Sequence, residues 1–208
     1  MPRTMEGLAR LIARERVAPW IVDAFRAVDR ADFAPVGGRE RAYRDRPIGL
    51  PQAQTTSQPS LIARMVDACA IEPGDHVLEV GTGYGFQTAI LGRRATTVVS
   101  VERVEELAGA ASNNLERAGV ANVTVVRGDG WLGVREEAPF DAIIVSAAAS
   151  EIPQALVEQL REERRLVIPL RGVSDDAVYV FEKVAGQLAS GRLLTPARFV
   201  PLVPPAGW

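Results

Sequence analysis

Three short stretches concentrate residues that could hold a ligand. Glu79-Val-Gly81-Thr-Gly83-Tyr-Gly85 packs three glycines behind an acidic residue. Glycines so spaced permit a sharp turn and let backbone N–H groups approach a ligand closely. Glu102 closes a β-branched run, where a strand-end carboxylate can accept hydrogens from both hydroxyls of a ribose. Asp129 stands between Gly128 and Gly130, either as an ordinary turn residue or as an acceptor for adenine's amino group. Spacing narrows the choice. A dinucleotide fingerprint G-x-G-x-x-G starting at Gly81 would need glycine at position 86, and Phe86 is there. A P-loop would need Gly-Lys-Ser/Thr, which is absent. The glycine pattern favours a nucleoside cofactor without a pyrophosphate, and the three stretches together point to one that contains adenosine.

These residues need a scaffold that brings three strand ends side by side. His76-Val-Leu-Glu-Val80 reads as a short apolar strand, and the glycine turn after it leads into a helix from about Phe86 to Arg93. Thr97 to Glu102 is a second strand, and Val104 to Ala118 a helix closed by Gly119. Val123 to Val126, Ala142 to Val145 and Leu166 to Ile168 are further apolar strands, with a helix from about Pro153 to Leu160 between the last two. Strands alternating with helices predict an α/β fold, a Rossmann-like three-layer sandwich whose mostly parallel sheet is covered on both faces. Ala177 to Val184 and Leu193 to Val200 flank the Gly186/Gly191 region and predict an antiparallel pair at the sheet edge.

Before the sheet lies a different kind of chain. Leu8, Leu11 and Ile12, then Ile21, Val22, Phe25 and Val28, recur at helical spacing, and Pro19 separates two helices of an N-terminal cap. Asp32 to Pro59 is rich in glycine and proline, a long irregular segment of the sort that is usually functional or disordered. Leu61 to Ala70 then suits a helix. The organisation expected is one domain over 1–208, with a cap and substrate loop in 1–60 and the core in 61–208.

Composition excludes several classes. The 208 residues carry a net charge of −2, without the basic footprint of a general nucleic-acid binder. No apolar run approaches the roughly 20 residues of a membrane helix. The single Cys69 forbids an intrachain disulfide and agrees with a reducing, cytoplasmic setting. The single His76 leaves no histidine cluster for zinc, so no metal is expected. Cys69 reads as a buried core thiol and His76 as structural. A monomer is expected.

The remaining motifs carry a resemblance. Glu79 to Gly85, Glu102 and Asp129-Gly130 are similar to the S-adenosylmethionine motifs of Rossmann-like methyltransferases. Gln54-Thr-Thr-Ser57-Gln-Pro59 with Ala63-Arg-Met65 resembles the protein-L-isoaspartate O-methyltransferase family. So do Asn122-Val-Thr124, Gly128-Asp-Gly130, the block from Ala138 to Val145, Glu151-Ile-Pro153 and Arg198-Phe-Val-Pro-Leu202. The likeness runs from about Arg26 to Val203.

The resemblance implies methyl esterification of L-isoaspartyl carboxylates in damaged proteins or peptides, with S-adenosyl-L-methionine consumed and S-adenosyl-L-homocysteine released. It implies that Gln54, Thr55, Thr56 and Ser57 lie over the cofactor and the acceptor carboxylate, Ser57 being the active-site serine. Glu79, Gly81, Thr82, Gly83 and Gly85 would line the methionine and ribose end. Glu102 would hold the ribose, Asp129 with Gly130 the adenine, and Ser146 would complete the cofactor site. Amide and base N-methyltransferases often carry an Asn/Asp-Pro-Pro-Tyr/Phe clamp after the fourth strand. Ser146-Ala-Ala-Ala149 stands here instead and favours an oxygen acceptor. The chain departs from the family in Pro51-Gln-Ala53, where Gly-x-Gly is usual, and in Glu162-Glu-Arg164, where Gly-Gly is usual. Proline and alanine restrict dihedrals that glycine leaves open, so a differently shaped substrate loop is expected. Two other readings follow from that departure: esterification of an aspartate carboxylate in a biosynthetic peptide, or cofactor binding without turnover.

Overall fold

Apolar strands buried on both faces must be covered by helices on both sides, and this requirement organises the computed structural model, which describes residues 3–172 and 175–205. The sheet contains β1 (His76–Val80), β2 (Thr97–Glu102), β3 (Val123–Arg127), β4 (Phe140–Val145), β5 (Leu160–Leu170), β6 (Ala177–Val184), β7 (Gln187–Leu188) and β8 (Arg192–Pro196). Its order is β3-β2-β1-β4-β5-β6-β7, with β8 also on β6. The first five strands are parallel, and β6 is antiparallel to β5, β7 and β8.

Alternate residues feed opposite cores. Val77, Val98, Ala142, Ile144 and Val167 face one side, where they pack with α1 (Met5–Ile12), α2 (Pro19–Ala27), α3 (Pro59–Ala68) and α4 (Phe86–Gly92). Leu78, Val80, Val99, Ile143 and Val145 face the other, against Trp131 and Leu156 of α6 (Gln154–Gln159). The helix α5 (Glu105–Arg117) crosses between β2 and β3 and buries Leu107, Ala111 and Leu115. Among the described residues, no helix is long and apolar enough to cross a membrane.

Three elements differ from the bounds that the sequence pattern predicts. The strand expected at 166–168 is β5, which starts at Leu160 and runs for 11 residues. It absorbs the charged stretch Glu162–Arg164 through a register shift against β4, with Glu163 in the left-handed region at φ 59°. That bulge accommodates, without glycine, the residues that stand where the family usually has a Gly-Gly turn. The last strand stops at Pro196, because a proline lacks the N–H that would continue the ladder. Residues 200–202 instead lie beside the chain after β4, where Ala148 donates to Val200 O at 2.8 Å and Leu202 to Ala148 O at 2.8 Å. The third helix starts at Pro59, two residues earlier than expected; proline suits a first helical turn because its missing N–H has no partner there anyway.

The parallel register is what builds a site. Val80 pairs with Val101 and Val145, and Val101 with Val126. One step on, Gly81 N–H donates to Val101 O at 2.9 Å, Gly128 N–H to Glu102 O at 3.0 Å and Ser146 N–H to Val80 O at 2.8 Å. Gly81, Glu102, Asp129 and Ser146 thus emerge in one row at the carboxyl ends of four adjacent strands. The sheet's order reverses between β1 and β4, where open α/β sheets bind ligands.

Candidate functional site

The row of strand ends forms the floor of a cavity of about 300 Å³. Gly81 (φ 93°) starts the turn, in a backbone conformation that L side chains rarely adopt. Gly130 is required for a different reason: a Cβ there would sit 2.3 Å from Val80 Cγ1. Both line the cavity, with Thr82 and Gly83.

Glu102 is held by the turn it faces. Its Oε2 accepts from Gly83 N–H and its Oε1 from Val104 N–H, both at 2.9 Å. Each carboxylate oxygen keeps a lone pair for a further donor such as a ribose hydroxyl. Asp129 lines the cavity and also closes a turn, its Oδ1 accepting from Trp131 N–H at 3.0 Å. The turn role and the cavity position coexist.

Two expected cavity residues lie elsewhere. The Glu79 side chain is fully buried beneath the glycine turn and is not in the cavity wall. Its carboxylate accepts from Thr88 Oγ1, from Ser100 Oγ at 2.5 Å and from Gln87 Nε2 at 2.9 Å. Burial pushes its pKa up to about 7, against the pull of those three donors. An apolar strand end flanked by helix residues leaves a carboxylate nowhere to go but inward. Gly85 (φ 89°) also lies outside the wall, at the start of α4, where a Cβ would come 3.2 Å from Leu115 Cγ. It is a packing glycine. Thr82 does reach the wall, although its hydroxyl is paired with Ser100 Oγ at 2.6 Å.

The roof comes from the irregular segment before α3. Leu50 N–H donates to Gln54 O at 2.7 Å and Thr56 N–H to Ile48 O at 2.8 Å, so residues 48–56 form a small hairpin. At its tip, Gln52 (φ 55°) and Ala53 (φ 56°) both occupy the left-handed region, despite their side chains. The hairpin lowers Leu50, Gln54, Thr55 and Thr56 onto the cavity. Ser57 follows and lines this cavity together with a second one of about 370 Å³ beside Arg64 and Phe199. Thr55, Thr56, Ser57, Ser146 and Val200 belong to both walls.

A family model for protein-L-isoaspartate(D-aspartate) O-methyltransferase matches residues 5–206. The chain belongs to this family. The protein-L-isoaspartate O-methyltransferase of Koribacter versatilis is 43% identical over 188 residues, 90% of this chain and 84% of that one. That of Methanoculleus marisnigri is 42% identical over 200 residues, 96% and 89% of the two chains. A solved protein-L-isoaspartate O-methyltransferase superposes with a TM-score of 0.86 at 30% identity, covering 95% of this chain and 65% of that one. A Plasmodium falciparum protein solved with S-adenosyl-L-homocysteine shares the fold, with a TM-score of 0.83 at 24% identity, over 97% and 99% of the two chains.

Within this family member, sequence reading missed the residue that organises the roof. Arg30 is 2% exposed. Its guanidinium donates to Ala42 O, Arg44 O, Arg46 O, Thr56 Oγ1 and Ser57 O, at 2.9 to 3.2 Å. Thr56 Oγ1 also accepts from Ile48 N–H at 3.0 Å, so its acceptor capacity serves the loop. Burial lowers the Arg30 pKa to about 10, partly offset by Asp45, and the side chain remains a cation at neutral pH. It lies over Phe86, 5.8 Å from the ring centroid. Phe86 stands where a dinucleotide site would need glycine, and here it joins the roof's anchor to the helix below. Asp45 ties the same loop to α3 by accepting from Ser60 N–H at 2.8 Å and Gln58 Nε2 at 2.9 Å.

The residues expected to be structural are so. Cys69 is buried, and burial pushes its thiol pKa up. His76 bridges Thr97 Oγ1 at 2.6 Å and Glu137 O at 2.9 Å, at the end of the sheet away from the cavity.

Proposed function

We propose that the chain transfers a methyl group to the free α-carboxylate of L-isoaspartyl residues, the damaged aspartyl sites of proteins or peptides. The enzyme is an S-adenosylmethionine-dependent carboxyl O-methyltransferase. Bound in the cavity over the strand ends, S-adenosylmethionine would supply a methyl group on a sulfonium, an electrophile that a carboxylate oxygen attacks directly with S-adenosylhomocysteine as the leaving group. The residues present suit that cofactor: Asp129 would accept from the adenine amino group and Glu102 from the ribose hydroxyls, with the Gly81–Gly83 turn in the wall between them. A carboxylate is already ionised at neutral pH, so no strong base is needed. What the protein must supply is alignment, and orientation can lower the barrier by several kcal/mol. Ser57 provides it by donating its hydroxyl hydrogen to the acceptor carboxylate.

The observation that carries this reading is Ser57 in the wall shared by the two cavities. One cavity takes the cofactor and the other an acceptor peptide, whose carboxylate reaches the methyl group past Ser57. A cytoplasmic enzyme acting as a monomer on protein substrates, without nucleic acid, completes the reading. The test compares two synthetic peptides that differ in one residue, L-isoaspartyl or L-aspartyl, each incubated with methyl-labelled cofactor. Base-labile label should enter the isoaspartyl peptide with strong preference. Equal labelling would favour the biosynthetic aspartate reading that the Pro51-Gln-Ala53 departure raises, and label on neither would favour a silent binder.

A further inference from the structure

Gln87 has a polar atom that the protein leaves unused. It is the second residue of α4, 6% exposed, and it lines the cavity over the strand ends. Its Nε2 donates to Glu79 Oε1 at 2.9 Å and to Ser146 Oγ at 3.0 Å, so both amide hydrogens are committed. That pairing fixes which end of the amide is the acceptor. Gln87 Oε1 is buried and, among the described residues, has no hydrogen-bond partner. A buried acceptor without a donor is costly, and such an atom in a cavity wall marks where a ligand donor belongs.

The order of the strand ends says which donor. Asp129 follows β3 and Glu102 ends β2, and they take the adenine and the ribose. Gln87, bonded to Ser146 at the end of β4 and to Glu79 on β1, lies beyond the glycine turn from both. The cofactor's remaining donor is the α-ammonium of its methionine moiety. Resting on the S-adenosylmethionine reading above, we propose that Gln87 is a cofactor-binding residue whose Oε1 accepts a hydrogen bond from that ammonium. The amide then couples the ammonium to Ser146, a wall residue of both cavities, and to the buried Glu79 carboxylate. An ammonium donor suits a neutral amide oxygen here, since hydrogen bonds with one ionised partner are the stronger kind.

The test is a cycle of binding measurements by calorimetry, independent of turnover. Wild type and Gln87→Met are titrated with S-adenosylhomocysteine, with the analogue that lacks only its α-amino group, and with 5′-methylthioadenosine, which lacks the amino-acid end. Gln87→Met should weaken S-adenosylhomocysteine roughly tenfold to a hundredfold. It should leave the des-amino analogue and methylthioadenosine within about twofold of wild type. Equal losses for all three ligands would overturn the role, reducing Gln87 to a support for Glu79. An unchanged affinity for S-adenosylhomocysteine would overturn it as well. If Gln87→Met does not fold, Gln87→Asn, which withdraws the amide by one methylene, takes its place with the same expectations. A wild type that binds no adenosine ligand would sink the cofactor reading itself, an outcome distinct from loss of amino-group discrimination.

Discussion

The floor and the roof of the cavity are built on different principles. The floor is repetitive: four parallel strands end in register, and each contributes one or two residues at the same height. Its positions follow from backbone pairing, so any one side chain can change while the others stay in place. The roof has no ladder beyond a short hairpin. It depends on Arg30, whose donors gather carbonyls from residues 42, 44, 46 and 57 around one buried cation. A floor made by periodicity tolerates local damage, whereas a roof hung on one side chain does not. That difference separates the cofactor's affinity from the acceptor's alignment, and it can be tested by damaging each region in turn.

The largest effect should come from Arg30→Met. Four carbonyls and the Thr56 hydroxyl lose a donor inside the protein, and the buried Arg30 charge that offsets Asp45 disappears. Unsatisfied buried groups cost about 1–3 kcal/mol each, and partial rehydration of the loosened loop should hold the total to roughly 3–5 kcal/mol. Urea unfolding measures the loss. Methyl transfer should fall by at least about a hundredfold, while S-adenosylhomocysteine affinity falls by less than about tenfold. Parallel loss of both would show that roof and floor are not separable.

The floor's own weak point is Glu79, and it is a pH effect. Its folded-state pKa of about 7 lies above the ordinary 4.5 because burial disfavours the charged form. Between those values the folded protein holds a proton that the unfolded chain has lost, so the stability from this group is fully present below about pH 4.5 and declines as pH rises to about 7. Above that it levels off. The decline amounts to something on the order of 3 kcal/mol. Glu79→Gln should match wild type at pH 5 and gain on it between pH 5 and 7.5, as read from urea midpoints. A constant difference across that range would remove the buried carboxylate from the account.

Ser57→Ala sharpens the contrast at one atom. Losing one positioning hydrogen bond to a charged group is worth roughly 1.5–3 kcal/mol, so turnover should fall about tenfold to a hundredfold. Affinity for S-adenosylhomocysteine should change by less than about threefold, and the lost rate should not return at higher pH, because the serine is not a base. An unchanged rate would leave Ser57 a turn residue before Pro59.

How much of this could be read in the sequence follows the same division. The strands at His76–Val80 and Thr97–Glu102 have the expected bounds, since β-branched runs flanked by turn residues leave little freedom. Parallel register then carries Gly81, Glu102, Asp129 and Ser146 into one row without further information. Arg30 was illegible because, among neighbouring Arg26, Asp29 and Asp32, it looks like one more solvated charge. Only the distant carbonyls that close over it make it an anchor. Gln87 was hidden by its helix, where a glutamine has no local sign of facing a cavity. Glu79 and Gly85 share a contiguous motif with wall residues yet lie outside the wall, because the strand's alternation turns Glu79 inward and Gly85 packs against Leu115. The charged start of β5 was missed because strand pairing with β4 and β6, rather than any apolar pattern, extends it.

The smallest effect lies at the hairpin tip, and it bears on whether the roof's strain serves alignment. Gln52 and Ala53 both have positive φ, the conformation of a two-residue turn that ordinarily favours Asn-Gly. Each non-glycine residue there costs roughly 1–2 kcal/mol, while glycine would add about 0.5–1 kcal/mol of unfolded-state entropy. Gln52→Gly with Ala53→Gly should therefore stabilise by no more than about 1–2 kcal/mol, raising Tm by roughly 2–8 °C in a protein of this size. Ala185, at φ 51° in the turn before β7, is a like residue far from the cavity and serves as control. Ala185→Gly should raise Tm without touching kinetics. If the strained tip holds Leu50 and Gln54 down on the cavity, the double glycine variant should gain stability yet lose about twofold to fivefold in kcat/KM, less than 1 kcal/mol. A rise in Tm with kcat/KM unchanged would mean that the roof's shape is set by Arg30 alone, and that glycine at the tip is a choice of stability only.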